Sequence, residues 1–249
     1  MKDERSFWRE RYRQQVAWSY DVRQNIYREI GALSDWRILE VGSGYGALLN
    51  DINAEGYRHT YGLDIDLGAL RESEGGFPLI CADGRSMPLA EGVFDACMCH
   101  FLLLWITNPD VALREMARVV RPGGWLIALA EPDYGGRIDH PPFFEAVGSK
   151  QSAALSAQGA DIHMGRQLPG LLQSVGLVNI TCGVLPTRWQ VGANLPEAER
   201  EWLVLQKDLQ GQISAEELTE VREQELKAWR EGDRVTYVPT FYGYGQVER

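Results

Sequence analysis

The chain has 249 residues and a formal net charge of −10, with 25 Lys and Arg set against 35 Asp and Glu. That length supports one sizeable core, and the acidic balance makes nucleic acid an unlikely partner, because phosphate backbones are held by clustered Lys and Arg. No apolar stretch is long enough to span a bilayer and charges break up the N-terminus before any secretory signal develops, so the expectation is a cytoplasmic protein with no membrane partner.

The first segment mixes Arg5, Arg9, Arg11 and Arg13 with Asp3, Glu4 and Glu10, as on a solvated helix face. An apolar run over 37–41 ends in a glycine-rich turn, and Ala47, Leu48, Leu49 and Ile52 have the spacing of a short helix that Gly56 stops. Strands follow over 60–65, 79–82 and 94–103. Asn108-Pro109 starts a helix with an apolar stripe at Ala112, Met116, Val119 and Val120. Arg121-Pro122-Gly123-Gly124 breaks it, and 125–130 is a strong fifth strand. A Gly/Pro-rich stretch over 131–142 leads to helices over 143–157 and 167–175, then a strand over 178–186. Ser214-Ala215-Glu216-Glu217 is a capping box for a helix that runs to about Arg230 and stops at Gly232, and 235–242 returns as a last strand. The four cysteines, Cys81, Cys97, Cys99 and Cys182, lack the paired spacing of a metal site and read as reduced core thiols.

Alternating strands and helices imply an α/β fold with a parallel sheet wrapped on both faces and ligands at the carboxyl ends of its strands. The central signal lies there: Glu40-Val41-Gly42-Ser43-Gly44-Tyr45-Gly46, where glycines let the backbone bend and approach a ligand closely. Its Gly-x-Gly-x-Gly spacing differs from the Gly-x-Gly-x-x-Gly of dinucleotide binders. Asp64, at the end of the second strand, is placed to accept hydrogen bonds from both hydroxyls of a ribose, while Asp66 suits the cap of the next helix. Asp83, after the third strand, stands within reach of an adenine amino group. Each acid alone reads equally well as a cap or turn residue; their order along the chain is the stronger signal.

On these motifs, residues 37–131 resemble the core of the class I S-adenosylmethionine-dependent methyltransferases, in the small-molecule, UbiE-like branch. The resemblance implies a Rossmann-like, seven-stranded, mostly parallel sheet with an antiparallel final strand, helices on both faces and a helical cover. It implies S-adenosylmethionine as cofactor and no metal. The Glu40, Gly42, Ser43, Gly44 and Gly46 loop would face the methionine and ribose part, Asp64 the ribose, Ile65 the adenine face, and Asp83 with Gly84 the adenine edge. It also implies one domain over 1–249: a helical lid (1–33), the cofactor core (37–131), a substrate-side region with inserted helices (132–232), and a last strand and tail (233–249).

His100, at the end of the fourth strand, falls where the resemblance puts the methyl-transfer centre; it reads as a cofactor contact and general base, or as a hydrogen-bonded structural histidine. Asp133 and Tyr134 are the next catalytic candidates, in a Glu131–Gly136 stretch that could equally be turn chemistry. His140 and His163 suit surface roles better. Rings near the termini, among them Phe7, Trp8, Tyr12, Trp18 and Trp189, are mostly explained by core packing. The expected activity is methyl transfer to a small organic acceptor by in-line displacement. The alternatives are methylation of RNA or protein, non-catalytic cofactor binding, and a nicotinamide oxidoreductase, which the glycine spacing and Asp83 count against. The acceptor and the oligomeric state are not legible.

Overall fold

The computed structural model describes residues 2–187 and 195–248, so Trp189 lies outside the described residues. In chain order the elements are α1 (Lys2–Glu29), β1 (Arg37–Val41), α2 (Ala47–Ala54), β2 (His59–Asp64), α3 (Leu67–Arg71), β3 (Leu79–Cys81), β4 (Phe94–Cys99), α4 (Pro109–Val119) and β5 (Val120–Pro132). They continue with β6 (Ile138–His140), α5 (Phe143–Ala157), α6 (Met164–Ser174), β7 (Leu177–Val184), α7 (Leu195–Leu209), α8 (Ala215–Glu231), β8 (Val235–Tyr237) and β9 (Thr240–Val247). The chain divides into two compact units, Met1–Glu131 with Met164–Leu185 and Thr240–Arg249, and Pro132–His163 with Pro186–Pro239.

The first unit holds a seven-stranded sheet in the order β3-β2-β1-β4-β5-β9-β7. β1 runs parallel to β2 and β4, β2 to β3, and β4 to β5, whereas β9 is antiparallel to β7. Because β1 lies centrally and is buried along four of its five residues, the sequence there is a continuous apolar run instead of an alternating one. In register, Val41 faces Leu63 on one side and Cys99 on the other, so these three strands finish at one edge.

α1 is docked firmly along its C-terminal half. Val16, Val22, Ile26 and Tyr27 pack in one cluster with Trp36, Ile38, Leu48, Ile52 and Met98. Arg23 has no exposed side chain and pairs with Asp51 of α2 and with Glu55, which caps that helix. The N-terminal half is attached differently, through Arg5 to Glu72, Arg9 to Glu72 and Glu74, and Arg13 to Glu74. The arginines expected on a solvated face are therefore partnered, and Arg11 stacks over the Trp18 ring at 4.6 Å. The partners come from a segment some sixty residues away, which local charge patterning does not reveal.

Three further expectations are corrected. β4 stops at Cys99 instead of residue 103, because Phe101 takes a left-handed conformation (φ 52°) and a 3-10 turn follows over Leu103–Trp105. The single last strand expected over 235–242 is two strands: β8 pairs with β6, Pro239 interrupts, and β9 enters the main sheet. Cys81 is exposed, since β3 is an edge strand, whereas Cys97 and Cys99 are buried; all four thiols are free. Of the capping box on α8 the Ser214 half is formed, with Ser214 Oγ accepting from Glu217 N at 3.1 Å, while the Glu217 carboxylate meets Lys150; Gly232 closes the helix at φ 73°.

The second unit combines the β6–β8 ribbon with α5, α7 and α8, whose core gathers Phe144, Val147, Trp202, Leu205, Leu209, Val221 and Ala228. Beside it lies a buried charge network. Asp139 takes Arg137 through both oxygens (2.6 and 3.2 Å) and Arg234 at 3.3 Å; Arg234 also reaches Glu225 at 3.0 Å and stacks on Phe144 at 4.1 Å. Such a network costs desolvation that hydrogen bonds must offset, and here every carboxylate has at least one Arg.

Replacing Arg23 by Ala leaves Asp51 and Glu55 facing each other without their shared cation. The substitution is expected to cost about 3 kcal/mol in urea unfolding; a loss under about 0.5 kcal/mol would show that the pair does not anchor α1.

Candidate cofactor site

The loop from β1 to α2 is left-handed at Gly42 (φ 77°), Gly44 (φ 49°) and Gly46 (φ 77°), which is why Gly occupies every second position. It is wound tightly: Gly42 N and Ser43 N both donate to Leu63 O (2.7 and 3.1 Å), and Gly46 N donates to Ser43 O (2.7 Å). A Cβ on Gly42 would lie 2.7 Å from Leu102 Cδ1, and one on Gly46 2.4 Å from Ser73 Oγ.

Asp64 is tied across this loop. Its Oδ2 accepts from Gly44 N at 2.7 Å and its Oδ1 from Asp66 N at 2.8 Å, so the carboxylate is oriented with acceptor capacity left on each oxygen. Asp66 caps α3 through Gly68 N and Ala69 N (2.8 and 3.2 Å). Ile65, next to Asp64, is 68 % exposed, unusual for so large an apolar side chain. Asp83 is spent on its own turn: Arg85 grips both oxygens, holding the carboxyl below its ordinary range through those hydrogen bonds. Gly84 lies where a Cβ would meet Val41 Cγ1 at 2.8 Å.

Glu40 is buried, and its Oε2 has no partner; neither has Ser43 Oγ. Burial first, then the charge of Asp64, pushes the Glu40 carboxyl up to about 8. Orphaned buried polar atoms are costly, and two of them border the glycine loop.

His100 is half-buried and meets Ser19 Oγ through Nε2 at 3.1 Å. Ser19 Oγ also lies 3.1 Å from Val16 O, so its one proton has two acceptors within reach and the hydroxyl links the imidazole to the α1 backbone. Burial, and then Arg23, lowers its pKa to about 3. The imidazole is neutral and a weak base, anchored to α1 and packed edge-on against Phe101.

Asp133 and Tyr134 belong to the second unit. Asp133 is buried, and His163 Nδ1 lies 3.7 Å from its Oδ1, beyond hydrogen-bond range. Tyr134 N donates to Ile162 O (2.8 Å) in a 3-10 turn over Tyr134–Gly136. His140 is exposed and bonded to Asp233 at 3.2 Å.

Two residues at this edge escape local sequence reading. Tyr12 of α1 approaches the position of a Gly44 Cβ to 3.4 Å, and burial, then Tyr45, Asp64 and Asp66, push its hydroxyl up to about 12. Leu102 covers Gly42. Only long-range packing brings either to the loop.

Residues 39–128 match the family described as "Methyltransferase domain". A demethylmenaquinone methyltransferase of Corynebacterium urealyticum is 36% identical over 110 residues, 44% of this chain and 47% of that protein. The ubiquinone/menaquinone biosynthesis C-methyltransferase UbiE of Syntrophotalea carbinolica is 33% identical over 110 residues, 41% of this chain and 46% of that protein. Residues 39–128 of this chain are thus similar to a methyltransferase domain.

The chain spans about half the length of the curated relatives it matches. Solved structures extend the likeness of fold alone. A phosphoethanolamine N-methyltransferase 2 of Haemonchus contortus has a TM-score of 0.55 at 14% identity, covering 92% of this chain and 53% of that one. The [4+2]-cyclase SpnF has a TM-score of 0.58 at 15% identity, covering 92% and 81%. The methyltransferase fold therefore also hosts an enzyme named for a different reaction. Among the described residues, no helix is long and apolar enough to cross a membrane.

Glu40 and Glu131, raised to about 8 and about 7 mainly by burial, hold protons that an unfolded glutamate releases near its ordinary value of 4.5. Their contribution to stability is complete below that value and is lost as pH rises through about 7 to 8. The ligand-free chain should thus weaken from about pH 5 to about pH 8.5, by on the order of a few kcal/mol, and Glu40→Gln should flatten much of that slope. Parallel urea titrations of the two proteins check it.

Proposed function

We propose that the chain transfers a methyl group from S-adenosylmethionine to a small organic acceptor by in-line displacement. The observation that carries this reading is the Asp64 carboxylate, fixed by the amides of Gly44 and Asp66 against a left-handed glycine loop, with the orphaned Glu40 Oε2 and Ser43 Oγ beside it.

These residues fit the cofactor. Asp64 would hold the ribose hydroxyls, Glu40 and Ser43 would take hydrogen bonds at the amino-acid end, and exposed Ile65 would lie against adenine. Asp83 and Gly84 would contribute mainly through their backbone, since Arg85 engages the Asp83 side chain. When bound, the cofactor supplies a sulfonium methyl, an electrophilic carbon that needs alignment more than activation. The chain's own task is to orient the acceptor and exclude water.

His100, neutral and held by Ser19, helps shape the site. Its lowered pKa makes it a poor proton acceptor for an alcohol, so an acceptor of higher acidity suits this site better. Asp133 and Tyr134 remain the candidates on the acceptor side. The relatives named for quinone methylation make electron-rich, quinone-type rings the first acceptor class to assay. The acidic composition counts against RNA.

S-adenosylhomocysteine at about one hundred times its Kd should raise stability by about 2.7 kcal/mol, whereas NAD should leave melting unchanged. Asp64→Ala should weaken S-adenosylhomocysteine at least about tenfold, the worth of one hydrogen bond to a charged group. If neither S-adenosylmethionine nor its product shifts melting, the cofactor assignment is wrong. Incubation with methyl-labelled cofactor and separated metabolite, RNA and protein fractions decides the acceptor: label in metabolites supports the proposal, label in RNA or protein replaces it, and none despite cofactor binding favours a non-catalytic role.

A further inference from the structure

Glu131 stands at the end of β5, just past the matched family segment, and its side chain is fully buried. It cannot line an acceptor pocket, because its oxygens are turned inward. Oε1 accepts from Leu102 N at 3.1 Å and Leu103 N at 2.9 Å, and Oε2 accepts from Leu104 N at 3.2 Å. The Cys99 thiol lies 3.9 Å from Oε1.

Those amides open the 3-10 turn over Leu103–Trp105, where the first N–H groups have no partner within the helix. A local Ser or Asp would satisfy them equally well. Here the acceptor comes from the neighbouring strand, which ties the end of β4 to the end of β5. One more bond, Phe101 N to Ala130 O at 2.9 Å, reinforces the tie where Phe101 turns left-handed. The segment so fixed carries Leu102, whose Cδ1 occupies space that any side chain at position 42 would need.

We propose that Glu131 is a positioning residue of the cofactor site, its carboxylate holding the 102–104 backbone so that Leu102 covers the first glycine of the loop. The inference rests on the cofactor reading above and extends it to a residue with no direct access to the ligand. Glutamine cannot replace Glu131: its single carbonyl oxygen serves at most two of the amides, and its NH2 group sets a donor against the third.

The test uses the whole chain at about pH 8, where the Glu131 carboxyl, raised to about 7 mainly by burial, is ionised, and S-adenosylhomocysteine as the probe. Glu131→Gln and Leu102→Ala are each expected to raise its Kd about tenfold. The double variant should be no weaker than about twice the poorer single one, because both act through the same contact. In amide NMR spectra, Glu131→Gln should move the Leu102, Leu103 and Leu104 protons upfield as charge-assisted bonds are lost, whereas Leu102→Ala should leave Leu103 and Leu104 nearly in place.

Wild-type affinity in Leu102→Ala overturns the proposal even if Glu131→Gln fails to fold. So does fully multiplicative loss in the double variant, which would mean independent routes. If the wild-type chain itself does not bind S-adenosylhomocysteine, the cofactor reading falls and the positioning role falls with it. If the wild type binds and all three variants match it, the positioning role alone is refuted.

Discussion

The shared edge at which β1, β2 and β4 finish is the constraint on which the site depends. Parallel pairing sets Val41 level with Leu63 and Cys99, so Gly42, Asp64 and His100 follow at the same edge of the sheet. The sheet order runs outward on both sides of β1, toward β2 and β3 on one flank and β4 and β5 on the other. Helices leaving these strands diverge there, and a ligand crevice is a geometric result of that reversal. The glycine loop, Asp64 and His100 reach one place because of register, not sequence proximity.

Most of the first unit was legible because its signals are local. A continuous apolar run marks a strand buried on both faces, alternate glycines mark left-handed backbone, and Asp66 followed by Gly68 and Ala69 marks a cap. The distinction drawn between Asp64 and Asp66 follows from their offsets: one lies at the strand end, while the other has free amides two and three residues ahead. What escaped was carried by partners distant in sequence. Nothing near Phe101 announces that β4 ends early, since the carboxylate that draws the chain aside is Glu131. Glu72 and Glu74 likewise hide the fate of Arg5, Arg9 and Arg13.

The second unit was less legible for another reason. Its apolar core is small, and part of its interior is ionic, with Asp139, Glu225 and Arg234 where a pattern reader expects Leu or Val. Charged residues in a sequence look like surface until their partners are known. The loss of regular rhythm after Glu131 reflects this change of chemistry as well as the division into units. It also lies outside the matched segment, so the family match does not extend to the second unit.

The attachment of α1 is graded along its length. Arg23 and the apolar residues around it are sealed from solvent, whereas Arg5 and Arg13 meet their glutamates at the water boundary, where added salt weakens attraction. Tyr12 sits between these two regimes, against the glycine loop. Fraying of the helix from its first turns would uncover that ring's face of the loop and leave the sheet intact. Ionic strength would then govern how often this side of the crevice opens without disturbing the melting of the core.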